Sequence, residues 1–410
     1  MKKLIVAVML IAAATVFATN GDNMAGVTPS SSALGGTGVG APVGATDQIF
    51  RNPAFLGNYK GFNMSFGTLL FFPEVKARYS DMQHGDSGFV KSQADTFMVP
   101  EIGITYQIND KFTFGLGAFG VSGMGVDYRN RDPRLSNMNT NFQFMRTIAA
   151  LSYKLNENWS LGFGLDLAWG SLDIGTFLQD YHTGDMFEAG GGVTQAFGAG
   201  VQIGIAYQKN NFTFGALYQS SIPMNYDKVL DTNHDGVFEK MKLEQPEELA
   251  VGIGYSINAW RFMADVRWIG WEDTDGYGEF LWEDQTVYAV GIEYTISKYS
   301  SLKFGYNYAE SPIKNQKNLD LMTPEHRVSN LDTQFSDFGV AWFNLLGFPA
   351  ITEEHYSFGF SHNFNDTFGL DFGFIYAPQK TVKAESVNNF AEIEASNRQY
   401  SFAIGLKWHF

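Results

Sequence analysis

The chain has 410 residues, of which 45% are hydrophobic, 16% aromatic and only 17% charged, and it has no cysteine. A net charge of −15 leaves no general basic surface for nucleic acid, and the missing cysteine excludes disulfides, thiolate metal sites and cysteine nucleophiles. So many aromatics, together with 44 glycines, are unusual for a soluble enzyme of this length. Beyond the N-terminus, no run of about 18 apolar residues predicts a membrane-spanning helix.

Residues 1–18 form a predicted export signal. Lys2 and Lys3 precede an apolar stretch, Leu4 to Ala14, which is too short to span a bilayer. Small or β-branched residues then occupy the positions that specify cleavage, and we predict cleavage after Ala18. The alternative, a retained membrane anchor, is disfavoured because polar, glycine-rich sequence follows at once.

The remainder of the chain alternates in polarity. From Trp159 to Trp169 every odd position is apolar and every even position is small or polar, which is the period of a β-strand with two unlike faces. The same pattern recurs at 102–106, 112–116, 212–218, 260–268, 288–294, 302–308 and 368–376. The second face carries mostly Gly, Ala and Ser with isolated charges, unlike the charged exterior of a soluble sandwich. The sequence therefore predicts an all-β, transmembrane antiparallel barrel with a lipid-facing exterior and a polar lumen.

The connections between the apolar runs support a barrel in the outer membrane of a Gram-negative bacterium. Short turns alternate with long polar segments at 80–96, 177–194, 229–240, 272–284, 313–352 and 384–396. Such barrels have short periplasmic turns, longer outer loops and an even number of strands, and counting the runs gives about fourteen. The alternation from Tyr400 to the C-terminal Phe410 resembles the terminal strand that the barrel assembly machinery binds. Residues 61–410 are the predicted barrel.

Residues 19–60 form a predicted plug. They are rich in glycine and small residues, contain Arg51, Asn52, Pro53 and Ala54 in succession, and show no strand-like alternation. At about 40 residues the segment is longer than an ordinary connection. Because the lumen of a barrel of about fourteen strands is too wide for its own side chains to fill, a compact N-terminal segment could occupy it.

Several motifs together resemble the FadL/TodX (OMPP1) family of outer-membrane long-chain fatty acid and hydrocarbon transporters. They are the glycine-rich start, Arg51-Asn52-Pro53-Ala54, Pro100 followed by Tyr106, Lys111 to Tyr128, Gln245-Pro246-Glu247-Glu248, and Tyr306-Asn307-Tyr308 followed by Ser311-Pro312. The resemblance implies a fourteen-stranded barrel with an N-terminal hatch. It also implies uptake in which a ligand passes from the outer loops to a lumenal apolar pocket and leaves sideways through the wall. Residues 313–352 are longer than the corresponding family loop.

The predicted third strand changes phase. Phe112, Phe114 and Leu116 are even-numbered, as are the apolar residues from Met124 to Tyr128, whereas two apolar residues between these groups are odd-numbered. A one-residue slip exchanges the faces of a strand, so this region predicts a bulge. The resemblance implies a lateral opening at such a kink, and the alternative is an ordinary barrel bulge. The candidate residues are Gly117, Phe119, Gly120, Val121 and Gly123.

Charged residues on the small-residue face are expected to point into the lumen, since Arg or Lys on the lipid face at mid-depth costs about 2–4 kcal/mol. They are Asp166, Arg261, Asp265, Arg267, Glu293, Lys303, Asp371, Lys407 and His409. Arg267 or Lys303 could pair with a ligand carboxylate. The alternative is that both pair with lumenal carboxylates or with the plug. Arg51 lies within the predicted plug, and we expect it to anchor to a lumenal Asp or Glu in preference to contacting a ligand.

The segment from Asp231 to Glu239 resembles the start of a calcium loop. Asp231, Asn233 and Asp235 provide oxygen ligands at positions one, three and five, and glycine follows at position six. Position twelve is Lys242 instead of the bidentate Glu, so Glu239 would have to substitute. A structural calcium site therefore stands against a simple Asx-rich turn, and no other cofactor is expected.

Three classes of function remain open. The preferred class is a transporter for hydrophobic or amphipathic small molecules, monomeric in the outer-membrane lipid and without enzymatic activity. The second is a barrel protease or lipase with catalytic groups on its outer rim, although no Gly-x-Ser-x-Gly or His-Glu-x-x-His motif is present. The third is an adhesin or structural barrel, in which the apolar run from Ala341 to Leu346 is a contact surface. The same run could instead cover a ligand cleft.

Overall fold

The computed structural model describes residues 19–180 and 183–410, so the predicted export signal and its cleavage position lie outside the described residues. Fourteen antiparallel strands close into a barrel, as the sequence predicted. They are β1 (Phe62–Phe71, continued by Glu74–Asp81), β2 (Phe97–Gln107), β3 (Phe112–Asp127), β4 (Asn139–Lys154), β5 (Trp159–Gly175), β6 (Thr194–Lys209), β7 (Phe212–Gln219), β8 (Glu248–Ile257), β9 (Trp260–Ile269), β10 (Gln285–Ser297), β11 (Ser300–Tyr308), β12 (Glu354–Asn363), β13 (Phe368–Ser386) and β14 (Ala391–His409). Each strand pairs with the next, and β14 pairs with β1 to close the ring.

Shorter elements lie before the barrel and in the long loops. The helices are α1 (Pro29–Ala33), α2 (Asp47–Arg51) and α3 (Asp337–Gly347), with 3-10 turns at Pro53–Asn58, Pro133–Leu135 and Val387–Asn389. The short strands are Thr19–Asn20, Asn23–Met24, Gly85–Asp86, Val90–Lys91, Phe177–Gln179, Met186–Glu188, Asn225–Leu230, Glu239–Lys242, Gln316–Leu319, His326–Arg327 and Gln334–Phe335. Across 19–180 and 183–410, no helix is both long and apolar enough to cross a membrane.

The two faces of each strand differ as the alternation predicts. On β5, Leu167 is 57% exposed on the outside, whereas its neighbour Asp166 is fully buried inside. Outward side chains meet lipid and are therefore large and apolar, while inward ones meet the N-terminal segment and are small or charged. The barrel is thus apolar on the outside, where a soluble protein would be polar.

The prediction of a long polar loop at 384–396 is wrong. Strands β13 and β14 continue through this region, and only residues 387–390 connect them. The error has a physical cause, since these strand ends project beyond the apolar band and their outer face meets water. Glu392 and Glu394 on that face bind Arg78, while Ile393 and Ala395 alternate with them and are buried.

Residues 19–60 contact the inner side of the barrel wall. Asp265 on β9 accepts hydrogen bonds from the backbone N–H groups of Gly38, Val39 and Gly40 at 2.8, 2.9 and 3.0 Å. A Cβ on Gly305 of β11 would lie 2.0 Å from the backbone nitrogen of Gly35. Glycine is therefore required at this point of the wall because the backbone of the N-terminal segment lies directly against it.

Helix α3 lies in the long loop between β11 and β12 and packs against β13, β14 and the loop between β9 and β10. Its apolar side chains Phe338, Val340, Phe343, Leu345 and Leu346 are buried. The ring of Phe343 stacks on that of Phe280, with centroids 5.2 Å apart. The apolar run from Ala341 to Leu346, which could have formed an adhesive surface, is thus packed inside the protein.

Candidate functional site

Strand β3 contains the predicted bulge. Its register with β4 shifts between Gly120 and Ser122, so Val121 is the extra residue. Before the shift, odd-numbered side chains such as Phe119 point inward; after it, the even-numbered Val126 and Tyr128 are buried instead. The slip therefore exchanges the two faces of β3.

The bulge coincides with the end of the pairing between β2 and β3. Their ladder runs from Gln107 and Thr113 to Glu101 and Phe119. The next residue of β2 is Pro100, which pairs with β1 but has no N–H to donate to β3. The ladder between β3 and β4 continues to Asp127, so the outer part of β3 follows β4 and separates from β2.

A cavity of about 130 Å³ lies at this separation. Its walls are mainly apolar and are contributed by β2, β3, β4 and the N-terminal segment, including Met24, Phe97, Pro100, Met124, Phe142 and Phe144. Gly120 also lines the cavity, and a Cβ there would lie 2.2 Å from a methyl carbon of Val99. On the lumenal side, Phe119 lies over Gly117, and its ring centroid is 5.8 Å from that of Phe50.

The four-residue motif of the N-terminal segment fits a groove in the wall. The side-chain amide of Asn52 donates to the carbonyl oxygens of Val39 and Ile205 at 3.0 and 3.2 Å, and its oxygen accepts from the N–H of Ala54. Gly162 on β5 leaves room for the motif, because a Cβ there would lie 2.2 Å from the nitrogen of Ala54 and 2.4 Å from the carbonyl carbon of Pro53.

The expected ion pair between Arg51 and a lumenal carboxylate is absent from the described residues. Arg51 instead donates to the carbonyl oxygen of Ala25 and lies over the ring of Phe50, with its guanidinium carbon 5.2 Å from the centroid. A buried carbonyl within the segment therefore takes the place of a carboxylate on the wall. The motif holds the N-terminal segment together in addition to attaching it to the barrel.

Arg267 and Lys303 both point inward but differ in their partners. Lys303 donates to the hydroxyl of Ser30 and lies 3.9 Å from the carboxylate of Asp371. Arg267 is 2% exposed, and one of its nitrogens contacts Glu248 at 3.2 Å. Its Nε and Nη2 atoms have no hydrogen-bond partner among the described residues. Of the two candidates, Arg267 is the one with side-chain nitrogens that have no partner in the described parts of the chain.

The loop considered for calcium forms internal hydrogen bonds. Asp231 accepts from the N–H groups of Asp235 and Gly236 at 3.2 and 2.9 Å, and Glu239 accepts from Thr232. No group of three or more His, Cys, Asp or Glu side chains in the described parts of the chain is arranged to hold a metal ion. These contacts are those of the Asx-rich turn, and a calcium ion bound by Asp231, Asn233, Asp235 and Glu239 stays a prediction.

Sequence reasoning missed a short hairpin beside the bulge. Thr19–Asn20 pairs with Asn23–Met24, and Asn23 pairs in turn with Ser122 of β3. Two-residue strands are too short to show alternation, which is why the segment appeared to contain none. The one available sign was Gly21, which adopts a φ of 60° in the turn.

These features can be compared with known proteins. A sequence profile of the outer membrane protein transport protein family (OMPP1/FadL/TodX) matches residues 5–342. The chain belongs to this family. This agrees with the resemblance that the motifs showed and with a barrel of the outer membrane. The long-chain fatty acid transport protein of Escherichia coli O6:H1 is 29% identical over 149 residues, which are 35% of this chain and 33% of that protein. The chain thus spans about a third of the length of this relative.

Solved structures share the fold. A Pseudomonas aeruginosa FadL homologue has a TM-score of 0.71 at 15% identity, covering 97% of this chain and 100% of the other. The Pseudomonas putida toluene transporter TodX has a TM-score of 0.68 at 19% identity, covering 94% and 99%. The barrel architecture of the family is therefore present along nearly the whole chain.

Proposed function

We propose that this family member transports long-chain fatty acids or related hydrophobic compounds and releases them sideways, through the wall, between β2 and β3. Residues 19–60 act as the plug that prevents straight passage through the lumen. The main support is the point at which the β2–β3 ladder stops, where an apolar cavity adjoins the bulge. The relative from Escherichia coli carries the name of a long-chain fatty acid transporter, which supports the ligand class.

A sideways route suits the chemistry of such ligands. An alkyl chain that leaves between two strands enters the outer-membrane lipid without crossing water, so its apolar surface stays covered throughout. The cavity offers Phe and Met side chains, and flexible Met side chains adapt to apolar ligands of varied shape. No bound ion or enzyme cofactor is needed for this passive step.

The test is to narrow the opening without disturbing the barrel. Gly120→Val together with Gly123→Val adds branched side chains where a Cβ would already approach Val99 and the carbonyl oxygen of Phe142. Uptake of radiolabelled oleate by cells carrying the protein should fall at least about tenfold, while heat-dependent gel mobility shows a folded barrel. Ala118→Val, on the outer face of the same strand, is the control and should leave uptake unchanged. Normal uptake by the double variant would exclude the route.

A further inference from the structure

The hairpin formed by residues 19–24 takes the place that β2 leaves beside the bulge. In addition to the pairing of Asn23 with Ser122, the backbone N–H of Gly123 donates to the carbonyl oxygen of Asp22 at 3.2 Å. Met24 lines the cavity between β2 and β3. The hairpin therefore supplies hydrogen bonds to β3 where β2 does not and covers the separation from the lumenal side.

Polar side chains from two outer loops fix this hairpin. The hydroxyl of Tyr277, in the loop between β9 and β10, donates to the carboxyl of Asp22. Gln245, in the loop between β7 and β8, donates to the same hydroxyl at 3.3 Å. The oxygen of its side-chain amide accepts from the hydroxyl of Ser122 at 3.1 Å. One buried network therefore joins the hairpin, both loops and the bulge.

The network also continues toward the outside of the protein. The ring of Tyr277 packs against those of Trp271 and Trp282, with centroids 4.7 and 4.8 Å away. The indole N–H of Trp282 donates to the side-chain oxygen of Asn344 in α3 at 3.1 Å. Packed side chains thus connect α3 to the hairpin that covers the opening.

We propose that Asp22, Gln245 and Tyr277 form a latch that holds the hairpin of residues 19–24 against β3, and that loss of the Asp22 proton weakens it. The proposal rests on the lateral route argued above. Tyr277 and Gln245 act as positioning residues, because they orient the hairpin and do not line the cavity. Separating α3 from Trp282 would disturb the same contacts, which gives the outer loops a means of controlling the opening.

The surroundings of Asp22 favour the uncharged acid. Asp22 is fully buried, and its Oδ1 atom has no hydrogen-bond partner in the described parts of the chain. The titratable groups that face it are the phenols of Tyr277 and Tyr226, and no described lysine, arginine or histidine forms an ion pair with it. A carboxylate here would lack a compensating positive charge.

The direction of the pH effect follows from this burial. Burial raises the pKa of Asp22 from 3.8 to about 7, although the hydrogen bond from Tyr277 lowers it. A released and hydrated Asp22 would keep its ordinary value, so the latched form binds the proton more tightly. The latch is therefore strongest below about pH 4, weakens as the pH rises, and reaches its weakest state above about pH 7.

The experiment measures the position of the hairpin without any ligand. Because the chain has no cysteine, Met24→Cys introduces a single thiol at the cavity, and its rate of reaction with a maleimide reports release of the hairpin. Tyr277→Phe removes one hydrogen bond and should raise this rate about two- to tenfold at pH 6. Gln245→Leu should act in the same direction. Tyr255→Phe, on the outer face of β8, is the matched control and should have no effect.

The pH arm uses the same thiol in two backgrounds. With Asp22 present, labelling of the introduced cysteine should rise more steeply between pH 5 and about pH 8 than with Asp22→Asn, which stays uncharged. Equal profiles in both backgrounds, or unchanged labelling in folded Tyr277→Phe and Gln245→Leu variants, would overturn the latch. That result would leave the lateral route intact if the Gly120 and Gly123 variant still blocks oleate uptake. Labelling could instead be faster in the Tyr277→Phe and Gln245→Leu variants while replacement of Gly120 and Gly123 leaves oleate uptake unchanged. That combination would support the latch and refute the lateral route.

Discussion

Arg267 is the inward charge that we propose pairs with a ligand carboxylate. One guanidinium nitrogen of Arg267 contacts the carboxylate of Glu248. The Nε and Nη2 atoms of Arg267 have no partner in the described parts of the chain and could donate hydrogen bonds to a ligand carboxylate. Buried charged donors left without acceptors are costly, so a ligand that supplies one gains affinity. The parity of β9 is enough to place this residue in the lumen, but its spare donors follow from contacts that parity does not contain.

A substitution at Arg267 tests this preference. Arg267→Gln should weaken binding of oleate about tenfold or more, because a hydrogen bond to a charged group contributes about 1.5–3 kcal/mol. Binding of the neutral oleyl alcohol should hardly change. Titration of the purified protein with both ligands, followed by fluorescence, gives the two affinities. Equal losses for acid and alcohol would show that Arg267 has a structural role and does not select carboxylates.

Lys303 provides the comparison for that experiment. Its ammonium group already contacts Ser30 of the N-terminal segment and lies near Asp371, so it has less to offer a ligand. Lys303→Gln should therefore loosen the segment and affect oleate and oleyl alcohol alike. A selective loss of oleate binding in this variant would move the carboxylate site from Arg267 to Lys303.

At the scale of elements, the N-terminal segment and the strands must fit closely. Small residues recur on the lumenal face because backbone of the segment, and not only side chains, approaches the wall. The fit is close on β5, β7 and β11, where a Cβ on Gly162, Gly215 or Gly305 would overlap backbone atoms of the segment. The lumenal glycines visible in the sequence are thus explained by docking of a second element.

Gly305→Ala tests this docking. The added methyl group would lie 2.0 Å from the nitrogen of Gly35, so the segment near α1 should be displaced while the barrel itself assembles. We expect hydrogen exchange of the amides in residues 30–40 to rise at least about tenfold, as measured by mass spectrometry. Gly57→Ala is the control, because its nearest neighbour would be the Ser152 hydroxyl at an ordinary 3.6 Å. Unchanged hydrogen exchange of residues 30–40 in the Gly305→Ala variant would show that strand β11 can shift to accommodate the added methyl group.

At the scale of the whole molecule, the wall and the N-terminal segment have separate tasks. The ladder of hydrogen bonds closes from β14 to β1 without using residues 19–60. Pairing between strands thus satisfies most backbone groups of the wall, as a membrane-spanning structure requires, and the hairpin of residues 19–24 adds hydrogen bonds to β3 at the bulge. The segment instead lies against the inner side of the wall, and we propose that it blocks conduction through the lumen.

Deletion of residues 19–60 separates these tasks. The shortened chain, with residues 1–18 retained, should form a heat-modifiable barrel because the pairing between strands is intact. Its ion conductance in a planar lipid bilayer should be steady and at least about tenfold above that of the full-length protein, since a barrel of this size has a wide lumen. A folded but non-conducting barrel would mean that α3 and the outer loops seal the lumen by themselves.

The sequence by itself determined the barrel, its strand number and the bulge in β3. These are consequences of short-range alternation, because each side chain must suit lipid or lumen and a slip of one position reverses the pattern. It erred where the outer environment changes from lipid to water, as at residues 384–396, and where a single buried carbonyl replaced the carboxylate expected for Arg51.

Only the tertiary structure decided what lies across the opening. Asp22 and Tyr277 meet across 255 positions of sequence, and Gln245 reaches Ser122 across 123. The alternation of polarity along a strand cannot predict contacts between residues so far apart in sequence. These residues meet because the barrel closes around the N-terminal segment. The physical reason is that periodicity records the environment of each residue, whereas the partner of a buried polar group depends on how distant elements pack.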